Sequence, residues 1–210
     1  MKVLIVMLMF NGVWAGSVIG AGSGYLWFGP LAALAFLILY VSFLAERPRQ
    51  EMLFAGTALV VGGLLDSLAG FAGAVTYPHP AWNTSVSAPF MLALWPAFSL
   101  MLIRVMKWMR GKYLLGAIFG VFGGPFAYWS GDKLGAIQLS ESLGFSLSVI
   151  AVEWAIAMII LLKLWDVFLP VIDTAELTDS APDGSASVGS ASGGSASGGS
   201  KTDQPSLEYI

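Results

Sequence analysis

The chain has no cysteine and a single histidine, His79. Disulfides, thiol chemistry and thiolate metal sites are therefore excluded. His79 stands between Pro78 and Pro80 and reads as a residue of an external turn; with no companion His or Cys, no metal centre suggests itself. Charge is scarce as well. Asp, Glu, Lys and Arg make up 11% of the chain, against roughly 25% in a soluble domain. Serine is plentiful, yet neither a Ser-His-Asp set nor a nucleophile elbow is present. No cofactor and no nucleic-acid partner is expected.

What the chain has in quantity is apolar surface. Hydrophobic residues account for 57% of 210 positions, with a mean hydropathy of +0.77. Six apolar runs have the length of about 20 residues that a bilayer-spanning helix needs. They lie near Val3 to Ala21, Tyr25 to Ala45, Met52 to Tyr77, Ala88 to Met106, Leu114 to Gly131 and Leu143 to Leu162. The third exceeds a perpendicular span, so tilt or a frayed end is expected. The fold expected is all-α, a polytopic membrane protein of about six transmembrane helices over residues 1–168.

Lys2, the apolar stretch and Val13-Trp14-Ala15 imitate a cleavable secretory signal. Against cleavage, the apolar stretch continues to Ala21, and Gly12, Gly16, Gly20 and Gly24 form a packing stripe that a discarded segment would not use. Basic residues set the orientation. With the N-terminus and C-terminus cytoplasmic, nine of the ten fall inside and only Lys133 outside. That bias also favours an even number of spans. Residues 169–210 read as a disordered cytoplasmic tail rich in Gly, Ser and Ala, with acids Asp173, Glu176, Asp179, Asp183, Asp203 and Glu208. The acidic pI of about 5.0 reflects this tail, because the remainder carries +2.

In lipid, small residues four apart mark the faces where helices approach closely. Such stripes are Gly12, Gly16, Gly20; Ala58, Gly62, Gly70, Ala74; and Gly116, Gly120, Gly124. Asp66 falls at the centre of the second stripe, so it faces protein. A charge at this depth costs about 2.5 to 3.5 kcal/mol and is normally paired, protonated or beside water. Three readings stay open: a protonated Asp66 bonding a neighbouring helix through Asn11, Ser17 or Tyr128; a ligand, ion or proton site; a lipid-headgroup contact. Glu153 is the second carboxylate within an apolar run. If the helices formed two inverted halves, Asp66 and Glu153 would occupy matching third helices near a midplane site, with Phe28-Gly29-Pro30 echoing Phe122 to Pro125.

Gly123, Gly124 and Pro125 should kink the fifth helix, and Tyr128, Trp129, Asp132 and Lys133 follow at the outer interface. The segment reads either as an aromatic anchor with a local ion pair or as one wall of a polar cavity. Arg104, Lys107, Arg110 and Lys112, with Trp108 between them, have the chemistry to contact anionic lipid, but ordinary positive-inside anchoring explains them fully. Asn83-Thr84-Ser85 matches a glycosylation sequon, relevant only in a eukaryotic secretory pathway.

Asn11, Trp14, Gly29-Pro30, Asp66-Ser67, Ala93-Leu94-Trp95, Phe98, Trp108-Met109-Arg110-Gly111, Gly123-Gly124-Pro125, Tyr128 and Lys133-Leu134-Gly135-Ala136, taken in order, resemble the bacterial inner-membrane family catalogued as domain of unknown function 2878. The resemblance covers about residues 1 to 168. It implies a small multi-pass protein of the bacterial inner (cytoplasmic) membrane without an assigned activity, encoded beside enzymes that modify membrane fatty acids, such as cyclopropane-synthase-like methyltransferases. Where that family tends to carry polar Thr-Thr-Leu-Asn, this chain reads Ser99-Leu100-Met101-Leu102-Ile103; Glu153 stands where the family is usually apolar, and is expected to replace the lost polarity. The expected function is an accessory or binding component in membrane-lipid modification or envelope homeostasis, with the polar site on Asp66, Asn11, Tyr128 and Glu153. A small solute or proton-coupled transporter is the alternative, and a membrane-embedded enzyme the third. Membrane lipids are the expected partners, with a membrane-protein partner or a second copy of the chain left open.

Overall fold

The computed structural model describes residues 2–79 and 82–170. The tail expected over 169–210 lies, from residue 171 onward, outside the described residues. Six helices follow in order: α1 (Lys2–Gly22), α2 (Phe28–Phe43), α3 (Pro48–Phe71), α4 (Pro89–Val105), α5 (Tyr113–Lys133) and α6 (Leu143–Phe168). Two short strands, β1 (Val75–Thr76) and β2 (Gln138–Leu139), pair antiparallel with Val75 opposite Leu139. The fold is therefore helical throughout apart from this ladder, which composition did not foretell.

Four helices, α1, α3, α5 and α6, are long and apolar enough to cross a membrane. The other two are shorter than expected. α2 has 16 residues and α4 has 17, or about 24 and 26 Å at 1.5 Å per residue, against a hydrocarbon thickness near 30 Å. Gly24 at φ 87° turns the chain before α2, so Tyr25 and Trp27 belong to the turn. α3 starts earlier than expected because Pro48, lacking an N–H, suits the first position. It ends at Phe71 instead of Tyr77: Gly73 takes φ 74°, and the Ala74 N–H returns to the Ala69 carbonyl (3.0 Å), a glycine-terminated helix end.

Successive helices alternate in direction. At one end, the ladder joins the α3–α4 and α5–α6 connections, and Gly22 abuts the Leu134 backbone. At the other, Arg104 reaches Glu51 at the start of α3, while Arg47 and Arg110 donate to the Pro170 and Leu169 carbonyls (3.0 and 2.6 Å) beyond α6. α4 runs through the middle. It packs on α1, α2 and α3 and is buried at every position from Leu94 to Arg104. A helix apolar all round belongs inside.

The glycine stripes are contact faces. Gly16 and Gly20 face the Phe28 ring of α2; Gly62 and Gly63 face Trp95 and Leu92 of α4; Gly120 and Gly124 face Trp154 of α6. Gly12 is the exception, with open space about it. The inverted repeat is absent. α5 packs along α6 whereas its would-be counterparts α2 and α3 do not pack along each other, and Pro30 is the third residue of its helix but Pro125 the thirteenth. At Gly123-Gly124-Pro125, where a kink was expected, α5 is not interrupted and continues helical through Pro125 to Lys133.

A methyl group at Gly120 would run into the Trp154 backbone, which cannot rotate away. Gly120→Ala is expected to lower stability by about 1 to 3 kcal/mol, whereas Gly12→Ala, with nothing within 4 Å, leaves it unchanged or raises it slightly. Thermal melts in detergent check the contrast, and equal melting temperatures for the two would contradict the packing.

Candidate functional site

Asp66 is fully buried and accepts three hydrogen bonds. Its Oδ2 takes the Ser87 hydroxyl (3.1 Å) and the Trp95 indole N–H (2.8 Å), and its Oδ1 takes the Tyr128 hydroxyl. Those donors come from the segment leading into α4, from α4 itself and from α5. Gly62, one turn before Asp66, leaves the space in which the Trp95 ring lies. Ser67 adds a fourth tie by accepting the Ser87 N–H (3.1 Å) while donating to the Gly63 carbonyl (2.6 Å). The aspartate is thus a junction between helices. It lies five residues before the end of α3, about 8 Å of rise.

Glu153 on α6 lies close enough to Asp66 for the two carboxyls to interact directly, and no donor from the rest of the protein meets either of its oxygens. It is 6% exposed. The Tyr77 hydroxyl and the Trp154 indole N–H are likewise buried without partners. Tyr77 lies between β1 and α4, outside the helices; burial first, and then the Asp66 and Glu153 carboxyls, push its hydroxyl well above the ordinary tyrosine range. Buried polar atoms without partners are uncommon, and a group of them is where water or a ligand is to be sought.

Of the expected site residues, the structure brings Asp66, Tyr128 and Glu153 together. Asn11 is not with them: it is exposed, and its amide donates to the Met7 carbonyl of its own helix (2.8 Å). Ser17 is buried with no partner. Asp132 and Lys133 form the local ion pair (3.3 Å), and Asp132 also accepts the Leu139 N–H (3.1 Å), tying α5 to β2. That is a structural role. Trp95 and Ser87 were not foreseen as partners of Asp66, since the sequence does not say that the start of α4 lies against the glycine stripe of α3.

A second polar cluster at the opposite end was also missed. Arg104, 8% exposed, donates to Glu51 (2.7 Å) and to the Tyr40 hydroxyl (2.7 Å), pairs with Glu46, and lies 5.6 Å from the Tyr40 ring centroid. The same Glu51 oxygen accepts the N–H groups of Glu46 and Arg47, closing the start of α3. Arg110 pairs with Asp166 (2.8 Å) over the Trp165 ring. Arg104 and Arg110 are therefore engaged within the molecule, which disfavours lipid contact for these two. An acid in the first turn of a helix was the available signal for Glu51.

Beside Asp66 lies a cavity of about 380 Å³. It is bounded by α1, α4, α5 and α6, and its outer rim includes the exposed residues Asn11, Phe119 and Phe126. α1 and α5 do not pack along one another, which leaves the opening. The inner wall is Trp95, Phe98, Tyr128 and Trp154; Trp95 and Trp154 stack at 5.1 Å, with Phe98 edge-on to Trp154 at 5.3 Å. Asp66 and Glu153 are behind this wall and do not line the cavity. Asp66 acts on it through Trp95 and Tyr128, whose polar atoms it holds. Gly123 lines the cavity too, where a larger side chain would narrow it.

The family described as Protein of unknown function (DUF2878) matches residues 3–160. The chain belongs to this family. No curated protein and no solved structure matches it. The part shared with the DUF2878 family holds Asp66 with its three donors, Glu153, and the whole lining of the cavity, whereas Asp166, the partner of Arg110, lies beyond it.

Asp66→Leu strands three buried donors, and at about 0.6 kcal/mol for a hydrogen bond between membrane helices the loss is expected to be about 2 kcal/mol. Glu153→Gln keeps the shape of the side chain and its capacity to donate to Asp66, and is expected to change stability by less than about 0.5 kcal/mol. Melting temperatures of the two variants in one detergent test the order, and an equal or larger loss for Glu153→Gln contradicts it.

Proposed function

We propose that this protein crosses the bacterial inner membrane six times, with both termini cytoplasmic, and binds a lipid chain in the groove between α1 and α5 as an accessory component of membrane-lipid modification or envelope homeostasis. The observation that carries this reading is the groove. It is apolar along nearly its whole wall and of the size that holds a small ligand. It has a stacked aromatic interior and an opening on the side where α1 and α5 present Asn11, Phe119 and Phe126 to the surroundings. A site with such an entrance is filled from the bilayer more readily than from water. The six-fold crossing draws support from the alternation of helix directions and from the basic residues, which gather at the end bearing Arg47, Arg104 and Arg110.

Movement of a proton or small solute is the second reading, and one observation favours it: the two buried carboxyls of Asp66 and Glu153 side by side. Single cysteines at positions 62 to 70, introduced into a chain that has none, separate the two, because transport requires water access to this stretch from both sides.

A phospholipid carrying a diazirine near the end of one acyl chain tests the groove directly. Crosslinks are expected on Leu94, Phe98 and Met101 of α4, which are buried from surrounding lipid yet line the cavity. Crosslinks confined to exposed residues such as Leu31, Leu64 and Phe122 would contradict the proposal.

A further inference from the structure

The groove follows α4 and the residue that caps it from Phe90 to Met106, sixteen residue steps and about 24 Å of helix rise. At the Met106 end it passes into the short connection to α5, where Arg104, Lys107, Arg110 and Lys112 fall within nine positions. The structure divides these four cations. Arg104 is taken by Glu46, Glu51 and Tyr40, and Arg110 by Asp166 and the Leu169 carbonyl. Lys107 and Lys112 are exposed, and among the described residues neither forms an ion pair. At the opposite end, near Ala136 and Ile137, the charges are Asp132 and Lys133, which neutralise each other. The groove therefore has uncompensated positive charge at one end only.

We infer that the occupant of the groove is an anionic phospholipid, its chain against Trp95 and Trp154 and its phosphate-bearing headgroup held by Lys107 and Lys112. This rests on the groove binding a lipid chain, and adds to it the chemical class and direction of the lipid. Two lysines near a membrane surface favour an anionic headgroup by about 30-fold in total, and the attraction weakens as salt rises. Trp108, 55% exposed between the lysines, is suited to the same interfacial level.

The test is native mass spectrometry of the full-length protein with phosphatidylglycerol and phosphatidylcholine of identical chains. The wild type is expected to retain phosphatidylglycerol about 30-fold better at low salt. In Lys107→Gln/Lys112→Gln that preference should fall to about twofold or less, while Arg49→Gln, at the same end but on α3, keeps it. Both lysines are exposed, so an unchanged melting temperature verifies folding. If both lipids are retained equally by the wild type, or if the preference survives in the double variant, the headgroup assignment is overturned and the groove reading stands. If the wild type retains neither lipid, or if retention is unchanged in Ala127→Trp, which fills the groove, the groove reading fails and takes this inference with it.

Discussion

One carboxylate organises the half of the bundle that bears the ladder. Asp66, at the centre of a stripe of small residues, receives Ser87 from the entry to α4, Trp95 from α4 and Tyr128 from α5, and faces Glu153 of α6. Four helices meet through it. The stripe makes this arrangement geometrically feasible, since Gly62 and Gly70 let the Trp95 ring and the Ser85 backbone come against α3. In an environment without a hydrophobic force between helices, close backbone approach and hydrogen bonding are the forces left to hold such a junction. At the other end Arg104 does comparable work, with Glu46, Glu51 and Tyr40 joining the starts of α3 and the ends of α2 and α4.

The consequence for function is indirect. Asp66 does not touch the groove; it fixes the indole of Trp95 and the phenol of Tyr128 that form the groove's inner wall. A rigid aromatic wall, stacked on Trp154 and edged by Phe98, is a surface on which a flexible chain can lie without first ordering the protein. Glu153, buried beside Asp66, adds a second carboxyl where a plain packing core would hold an apolar side chain.

Much of the fold was legible because its signals are local. Apolar run length gives the six helices, and spacing by four gives the faces that meet, including the inward position of Asp66. What spacing cannot supply is the partner. Trp95 and Ser87 were invisible as ligands of Asp66 because nothing in a sequence says which helix will lie against a glycine stripe. Asn11 misled for a related reason: a polar side chain in an apolar helix satisfies itself on its own backbone, as it does with Met7, and needs no neighbour. α4 reads as a span by composition, yet its burial on all sides and its 17 residues mark it as the core of the bundle. Of the groove only the α5 wall, at Gly123 and Tyr128, was legible, and as part of a polar cavity; its apolar lining and its opening arise where two helices, α1 and α5, fail to pack.

The central claim is that the space between α1 and α5 is a lipid-chain site with a wall held in place by Asp66. The most direct measurement is a structure of the full-length protein by electron cryomicroscopy in a nanodisc of native lipids. The account predicts elongated density lying against Trp95, Phe98 and Trp154, entering between α1 and α5, with the Trp95 indole still directed at Asp66. A bundle in which α1 closes onto α5 and leaves no such space would contradict it.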